Sequence, residues 1–280
     1  MRLKTPGGLG MTIFSPDGRQ VWFSLKDTGK VVAFDAKPPF TILRALDTGP
    51  ITNHVNFAVT PRGQFAYDSV GGFNQVKVFR TSDFTQTATI AIGRLPHGIC
   101  PSGDGRCIYV GMENDDQLAA IDTASNALIA SVHVEQVPQA IAYVPGAVRQ
   151  GAGTQNLQPL GVGGNTSHLI LALVGGHGVP SSISPFDQGV IQLLQEAVTG
   201  LKPKQKYILA LALTAPGAGQ LEALAAFVTN SAGSAIVNAT GPIRQIVKAD
   251  QLSSRRWVVV AEVAAAGATP AKVIQVRTND

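Results

Sequence analysis

The sequence predicts an all-β fold, and three observations carry that expectation. Short apolar runs rich in Val, Ile, Phe and Tyr recur along the 280 residues, separated by clusters of Gly, Asp, Asn and Ser, the alternation expected of strands and tight turns. The 30 glycines and 17 prolines, set against only 14% charged residues, suit a turn-rich β chain better than a helical one. Within the first half, three segments can be laid over one another with their turns in the same places, the mark of an internal repeat. A hydrophobic fraction of 45% supplies a sizeable core, and the length suits one large or two ordinary domains.

The clearest copy of the repeat is residues 95–132. An inner strand over 97–101 leads into a tight turn at 102–105, a second strand over 106–112 and a polar turn at 113–116. A third strand over 117–122, a turn at 123–126 and a fourth strand over 127–132 complete it. Four short strands punctuated in this way are the signature of a propeller blade. Gly18, Gly63 and Gly105 close the first turn of each copy, about 45 and 42 residues apart. Second strands follow at 21–25, 65–69 and 107–111, each with an aromatic residue near its start: Trp22 and Phe23, Phe65 and Tyr67, then Tyr109. Third strands are expected at 30–35, 75–80 and 117–122, and fourth strands at 41–46, 85–92 and 127–134. Residues 138–144 read as the first strand of a fourth unit, which then gives way to Gly-rich sequence. The expected architecture is therefore a partial β-propeller of about three blades and the start of another.

The segments SPDGRQVWFS, TPRGQFAYDS and SGDGRCIYVG, together with the strands VVAFD and LAAID, resemble the YVTN-type β-propeller repeats of bacterial surface and periplasmic proteins. Those repeats are related in fold to seven-bladed lactonase propellers. The resemblance covers about residues 8–145, and it specifies fold rather than activity. It implies a periplasmic, secreted or cell-surface location. Such propellers close with about seven blades, so an incomplete one leaves edge strands able to pair with another chain. The expectation is a homo-oligomer that covers the edges, or intramolecular covering by the C-terminal half. The N-terminal MRLKTPGGLGMTIFSPDG is too interrupted by Gly, Pro and polar residues to read as a signal peptide. It starts inside a repeat, as expected of a fragment or of a chain whose missing blades come from elsewhere.

Residues 1–145 thus form the repeat domain, and residues 146–188 a Gly-rich linker with one strand over 166–174. Residues 189–280 form a C-terminal domain that resembles the one accompanying these repeats in some bacterial proteins. Its strands, expected at 207–213, 224–229, 234–238, 257–263 and 272–276, suggest a small β-sandwich. Residues 190–198 and 221–226 also carry good helix formers; strand is the preferred reading, with helix left open.

The net charge of +4 and pI of about 9.2 come from scattered cations. The densest cluster, Lys202, Lys204 and Lys206, has no interleaved aromatic residues, so nucleic acid is not an expected partner. No apolar run is long enough for a transmembrane helix. Nucleophile-elbow, zincin and phosphate-loop motifs are missing.

Candidate functional residues are few. Cys100 and Cys107 flank the 102–105 turn symmetrically, so a simple hairpin places them opposite each other, as a cross-strand disulfide or as two packed thiols. His97 starts an inner strand, at a place matched by Gly10, Val55 and Gln139. With His54, Asn53, Asn56 and Gln139 it would form a polar ring at the channel entrance, able to hold a ligand or a divalent ion. The other histidines are His133, His168 and His177, the last in a Gly-rich loop. Glu113, Asp115 and Asp116 offer oxygen ligands for a cation such as calcium, without the spacing of a known calcium loop. Two readings follow. One is a binding or scaffold module presenting a surface to a small molecule or protein. The other is a lactonase-type hydrolase opening an acyl-homoserine or sugar lactone with His54 and His97, and with a divalent cation as the implied cofactor.

Overall fold

Paired apolar strands separated by left-handed turn residues build the whole molecule, seen here in a computed structural model. The structure describes residues 9–134, 137–144, 168–187, 192–214, 217–241, 255–263 and 272–278. These divide into two compact units, Met1–Gly163 and Gly164–Asp280.

The first unit holds three four-stranded antiparallel sheets, each a meander in chain order. Blade 1 is β1 (Leu9–Phe14), β2 (Gln20–Leu25), β3 (Lys30–Asp35) and β4 (Ile42–Asp47). Blade 2 is β5 (Thr52–Thr60), β6 (Gly63–Val70), β7 (Gln75–Arg80) and β8 (Gln86–Ala91). Blade 3 is β9 (Pro96–Pro101), β10 (Cys107–Met112), β11 (Gln117–Asp122) and β12 (Ala127–His133). The repeat goes deeper than strand order. Four positions in each blade have positive φ: Gly18, Gly63 and Gly105; Gly29, Asn74 and Asp116; Phe40, Phe84 and Asn126; then Ile51, Leu95 and Val137. The last set puts bulky aliphatic residues in the left-handed region, at a cost of roughly 1–2 kcal/mol each. Side-chain caps offset it. Asn74 Oδ1 accepts the Leu95 amide at 3.0 Å, and Asp116 Oδ1 accepts the Val137 amide at 2.8 Å.

Each inner strand also carries a register shift at the same place, between Leu9 and Thr12, Thr52 and Val55, and Pro96 and Ile99. Aligned on that irregularity, His97 corresponds to Asn53 and Gly10, not to Val55. The two-residue discrepancy lies in the first hairpins. Residues 58–65 separate the paired Phe57 and Ala66, whereas residues 102–107 separate Pro101 and Ile108.

Blade faces pack on one another through successive aromatic and aliphatic side chains. Trp22, fully buried, meets Phe57 edge-to-face at 5.7 Å, and Tyr67, Val76, Val78, Ile99, Ile108 and Ile121 fill the joint between blades 2 and 3. Equivalent threonine carbonyls accept a bond from the preceding blade, from different donors. Gln20 Nε2 donates to Thr81 O at 3.1 Å, and Arg62 donates to Thr123 O at 2.6 Å. Residues 137–144, outside any strand, take the place expected for a fourth inner strand. Tyr143 stacks on Tyr109 at 6.1 Å, as Phe57 meets Trp22.

The second unit is one eight-stranded antiparallel sheet. In chain order its strands are β13 (Leu169–Leu173), β14 (Ser181–Asp187), β15 (Gln192–Val198), β16 (Lys206–Thr214), β17 (Ala218–Val228), β18 (Ala235–Gly241), β19 (Trp257–Glu262) and β20 (Val273–Arg277). Across the sheet they run β17-β16-β19-β20-β13-β14-β15-β18. The end strands β17 and β18 touch, so the sheet is nearly closed and barrel-like. Leu171, Ile183, Leu194, Tyr207, Leu209 and Val260 are buried in its core. The strands expected as two sandwich faces are thus halves of one curled sheet, facing each other across a shared interior. The stretches with helix formers are strand over residues 192–198 and 221–226; residues 190–191 lie outside the described residues, as do 166–167 of the strand expected in the linker. All described regular elements are β apart from one 3-10 turn, Gly71–Phe73.

Candidate functional site

Polar side chains gather at the start of β5 and β9, beside the inner-strand irregularities. Ser69 fixes the backbones that carry them. Its Oγ accepts the His54 amide at 3.0 Å and donates to His97 O at 2.6 Å. Ser24, one blade earlier at the same repeat position, donates to Asn53 O at 2.5 Å. The third equivalent is Gly111, where an added Cβ would stand 2.4 Å from Pro138 O.

On this frame the rings of His54 and His97 meet edge-on, 4.7 Å between centroids. His97 Nδ1 is hydrogen-bonded to Glu113 Oε1. An ionised carboxylate only accepts, so Nδ1 carries the proton and a neutral His97 keeps the Nε2 lone pair free for chemistry. Glu113 is 4% exposed, at the repeat position that is Lys26 in blade 1 and Gly71 in blade 2. Lys26 is half-buried; desolvation lowers its pKa, and attraction to Glu113 and Asp27 opposes that shift. His54 is pushed down to about 4 by desolvation first, then by His97 and Lys26, so near neutral pH it is an uncharged donor and acceptor. Asn53, 1% exposed, donates from Nδ2 to Pro96 O at 2.8 Å, and its buried Oδ1 has no hydrogen-bond partner.

The expected site residues therefore separate. His54, His97 and Asn53 come together. Asn56 is spent on the backbone, donating to Ile99 O at 3.1 Å and accepting the Phe57 amide at 2.8 Å. The Gln139 carbonyl lies against Gly98, 2.6 Å from where a Cβ would stand. The acidic turn does not converge on a cation. Glu113 faces His97, Asp115 Oδ1 pairs with Arg94 Nε at 2.5 Å, and Asp116 caps Val137. Among the described residues no group of three His, Cys, Asp or Glu side chains is placed to hold a metal. The disulfide expectation is corrected by register. Cys100 opposes Tyr109 and Cys107 opposes Asp122, so the thiols are diagonal neighbours rather than partners, and both are free. The real hairpin pairs Pro101 with Ile108, two residues off the symmetric register assumed from the turn, which would pair it with Arg106. Sequence reading missed Lys26 and the use of Glu113 at the histidines; their shared repeat position, 26, 71 and 113, was the available signal.

No protein-family model matches the chain, and no curated protein matches it. Solved structures that resemble it are β-propeller-like. Hydrazine synthase of Kuenenia stuttgartiensis is 15% identical, with 94% of this chain and 76% of that one covered and a TM-score of 0.45. A putative 6-phosphogluconolactonase from Bacteroides uniformis is 16% identical, with 82% and 57% covered and a TM-score of 0.43. Virginiamycin B lyase from Staphylococcus aureus is 12% identical, with 45% and 41% covered and a TM-score of 0.38. The chain thus spans well under two thirds of the last two. Among the described residues no helix is long and apolar enough to cross a membrane.

Proposed function

We propose that the chain is an extracytoplasmic β-propeller binding module that holds a small polar ligand at the blade entrance, the location following from the family resemblance. The observation behind this reading is the convergence of Lys26, His54, His97 and Glu113 from three successive blades. A half-buried cation beside an uncharged imidazole and a carboxylate-held imidazole suits a ligand with a carboxylate and neighbouring hydroxyls, such as a sugar acid. Titration calorimetry with gluconate tests it. Binding is expected with a Kd of about 0.1–1 mM, weakened about tenfold or more by Lys26→Met and by His97→Ala. Absence of heat up to several Kd, or unchanged affinity in both variants, overturns it.

The His97–Glu113 pair favours a second reading, lactone opening. His97 Nε2 would take a proton from water, the hydroxide oxygen would add to the lactone carbonyl carbon, and the ring C–O bond would break. The departing alkoxide would then take the proton back. Gluconolactone hydrolysis, followed with and without chelator, checks this. Turnover reduced about 100-fold in Glu113→Gln supports it, and a rate no faster than the uncatalysed one removes it. Chelator sensitivity would bring in the divalent cation that the lactonase analogy implies.

Assembly belongs to the same proposal. Phe14 of blade 1 is 61% exposed, and β12 is exposed along its whole length. Light scattering should give the mass of two or more 29.2 kDa chains; a single-chain mass rejects the homo-oligomer.

A further inference from the structure

The opposite end of the inner strands holds a recess that neither reading uses. It has a volume of about 620 Å3 and lies between the first hairpins of blades 2 and 3. The 58–65 connection of blade 2 is two residues longer than the 102–107 connection of blade 3, and the recess beside them is lined by Phe57, Val59, Cys100, Asp104 and Tyr143. Two glycines let the short turn press into that recess. A Cβ on Gly105, whose φ is +70°, would stand 2.4 Å from Val59 O, and one on Gly103 would stand 3.2 Å from the Tyr143 ring.

The chemistry of the recess is lopsided. Tyr143 offers a ring that is already stacked on Tyr109 and is 42% exposed. The Ser102 hydroxyl donates to Asp104 Oδ1 at 2.6 Å and accepts the Cys107 amide at 2.9 Å, and the Gly105 amide donates to Ser102 O at 3.0 Å. Those groups are committed. What remains toward solvent is the Asp104 carboxylate, 59% exposed and 3.8 Å from the more exposed Arg106; the Ser102 hydrogen bond holds its pKa low, so it is anionic near neutral pH. The Arg106 amide also donates to Asp104 Oδ1, at 3.1 Å, which leaves Oδ2 as the exposed acceptor; an aromatic plate beside that carboxylate selects for charge as well as shape.

We propose that this recess is a second binding site, for a planar aromatic cation whose ring lies on Tyr143 and whose charged group reaches Asp104. The test uses benzamidine on the whole chain, with benzoate as the same-shaped anion. Cys100 lines the recess and Cys107 does not, so alkylation by iodoacetamide, resolved by peptide mass, provides a reporter and an internal control. At about 10 mM benzamidine, Cys100 alkylation is expected to slow about fivefold, as for a millimolar Kd. Cys107 should be unaffected and benzoate without effect. Tyr143→Ala and Asp104→Asn should each abolish the protection; the second keeps a side-chain oxygen for the Ser102 hydroxyl. No protection, equal protection by benzoate, or protection retained in both variants overturns the proposal. None of these outcomes depends on gluconate binding or lactone turnover at the other end.

Discussion

Glu196 lies in a transverse row with Leu169, Ile183 and Val237, on the apolar side of the curled sheet, and neither carboxyl oxygen has a hydrogen-bond partner. Burial alone pushes its pKa from 4.5 up to about 8. The fold therefore prefers the protonated acid. The stability this contributes is complete below pH 4.5 and is lost as pH rises through 8, on the order of 5 kcal/mol in all. Glu196→Gln, which cannot ionise, should make urea-derived stability level across that range; a slope as steep as that of the parent chain would show that another group is responsible. His54 works in the other direction. Its folded pKa of about 4 lies below the ordinary 6.5, so protonation favours the unfolded chain and stability falls as pH drops from 6.5 toward 4. Lys204 shows a purely conformational effect at the same scale: it is exposed, at φ 55°, and Lys204→Gly should gain about 0.5–1 kcal/mol in denaturant melts by relieving the left-handed backbone.

Comparing elements across the repeat isolates the departures. Position 23 in blade 1 is Phe and position 110 in blade 3 is Val, yet the equivalent in blade 2 is Asp68, fully buried with both oxygens unpartnered and its pKa raised well above normal by desolvation. Asp68→Val should stabilise the chain by about 1–3 kcal/mol in urea titration; a loss would mean that its neighbour Lys77 depends on it. Gly111→Ser should do the reverse. The serine that suits positions 24 and 69 would drive its Cβ into Pro138 O, and the expected loss is about 1–3 kcal/mol. The strands and turns of these blades were legible because each is local: Gly18, Gly63 and Gly105 mark turns that any hairpin needs. The thiol register was not, because a two-residue offset in the pairing of Pro101 with Ile108 decides it. Nor was the partner of Glu113, which is set by packing of β9 against β10 rather than by spacing. In the second unit the apolar runs named the strands, but the pairing of β13 with β20, a hundred residues apart in sequence, leaves no local trace.

At the scale of the whole molecule the two opposed pH effects sit in different units, and each unit contains one of the two tryptophans, Trp22 in the first and Trp257 in the second. Single-tryptophan variants, Trp257→Phe to report the first unit and Trp22→Phe the second, should therefore diverge. Acid should lower the unfolding midpoint seen by Trp22 and, with Asp68→Val in place to remove the raised buried carboxyl of the first unit, mild alkali should lower only that seen by Trp257. Parallel shifts in both would mean that the units unfold as one. The entrance of the first unit has a further consequence. Because every inner strand shifts register at the same place, positions 10, 53 and 97 form one series of addresses and positions 26, 71 and 113 another. The addresses are not independent. A Cβ at Gly10 would meet Asn53 O at 2.8 Å, and one at Gly71 would meet Asn53 Nδ2 at 2.8 Å. A side chain at position 71 would also meet Leu95 Cδ1 at 2.9 Å and Ile51 Cγ2 at 3.0 Å, so a lineage or a designer rewriting this entrance would have to change several residues together, and the range of ligands reachable by single substitutions is narrower than six positions suggest.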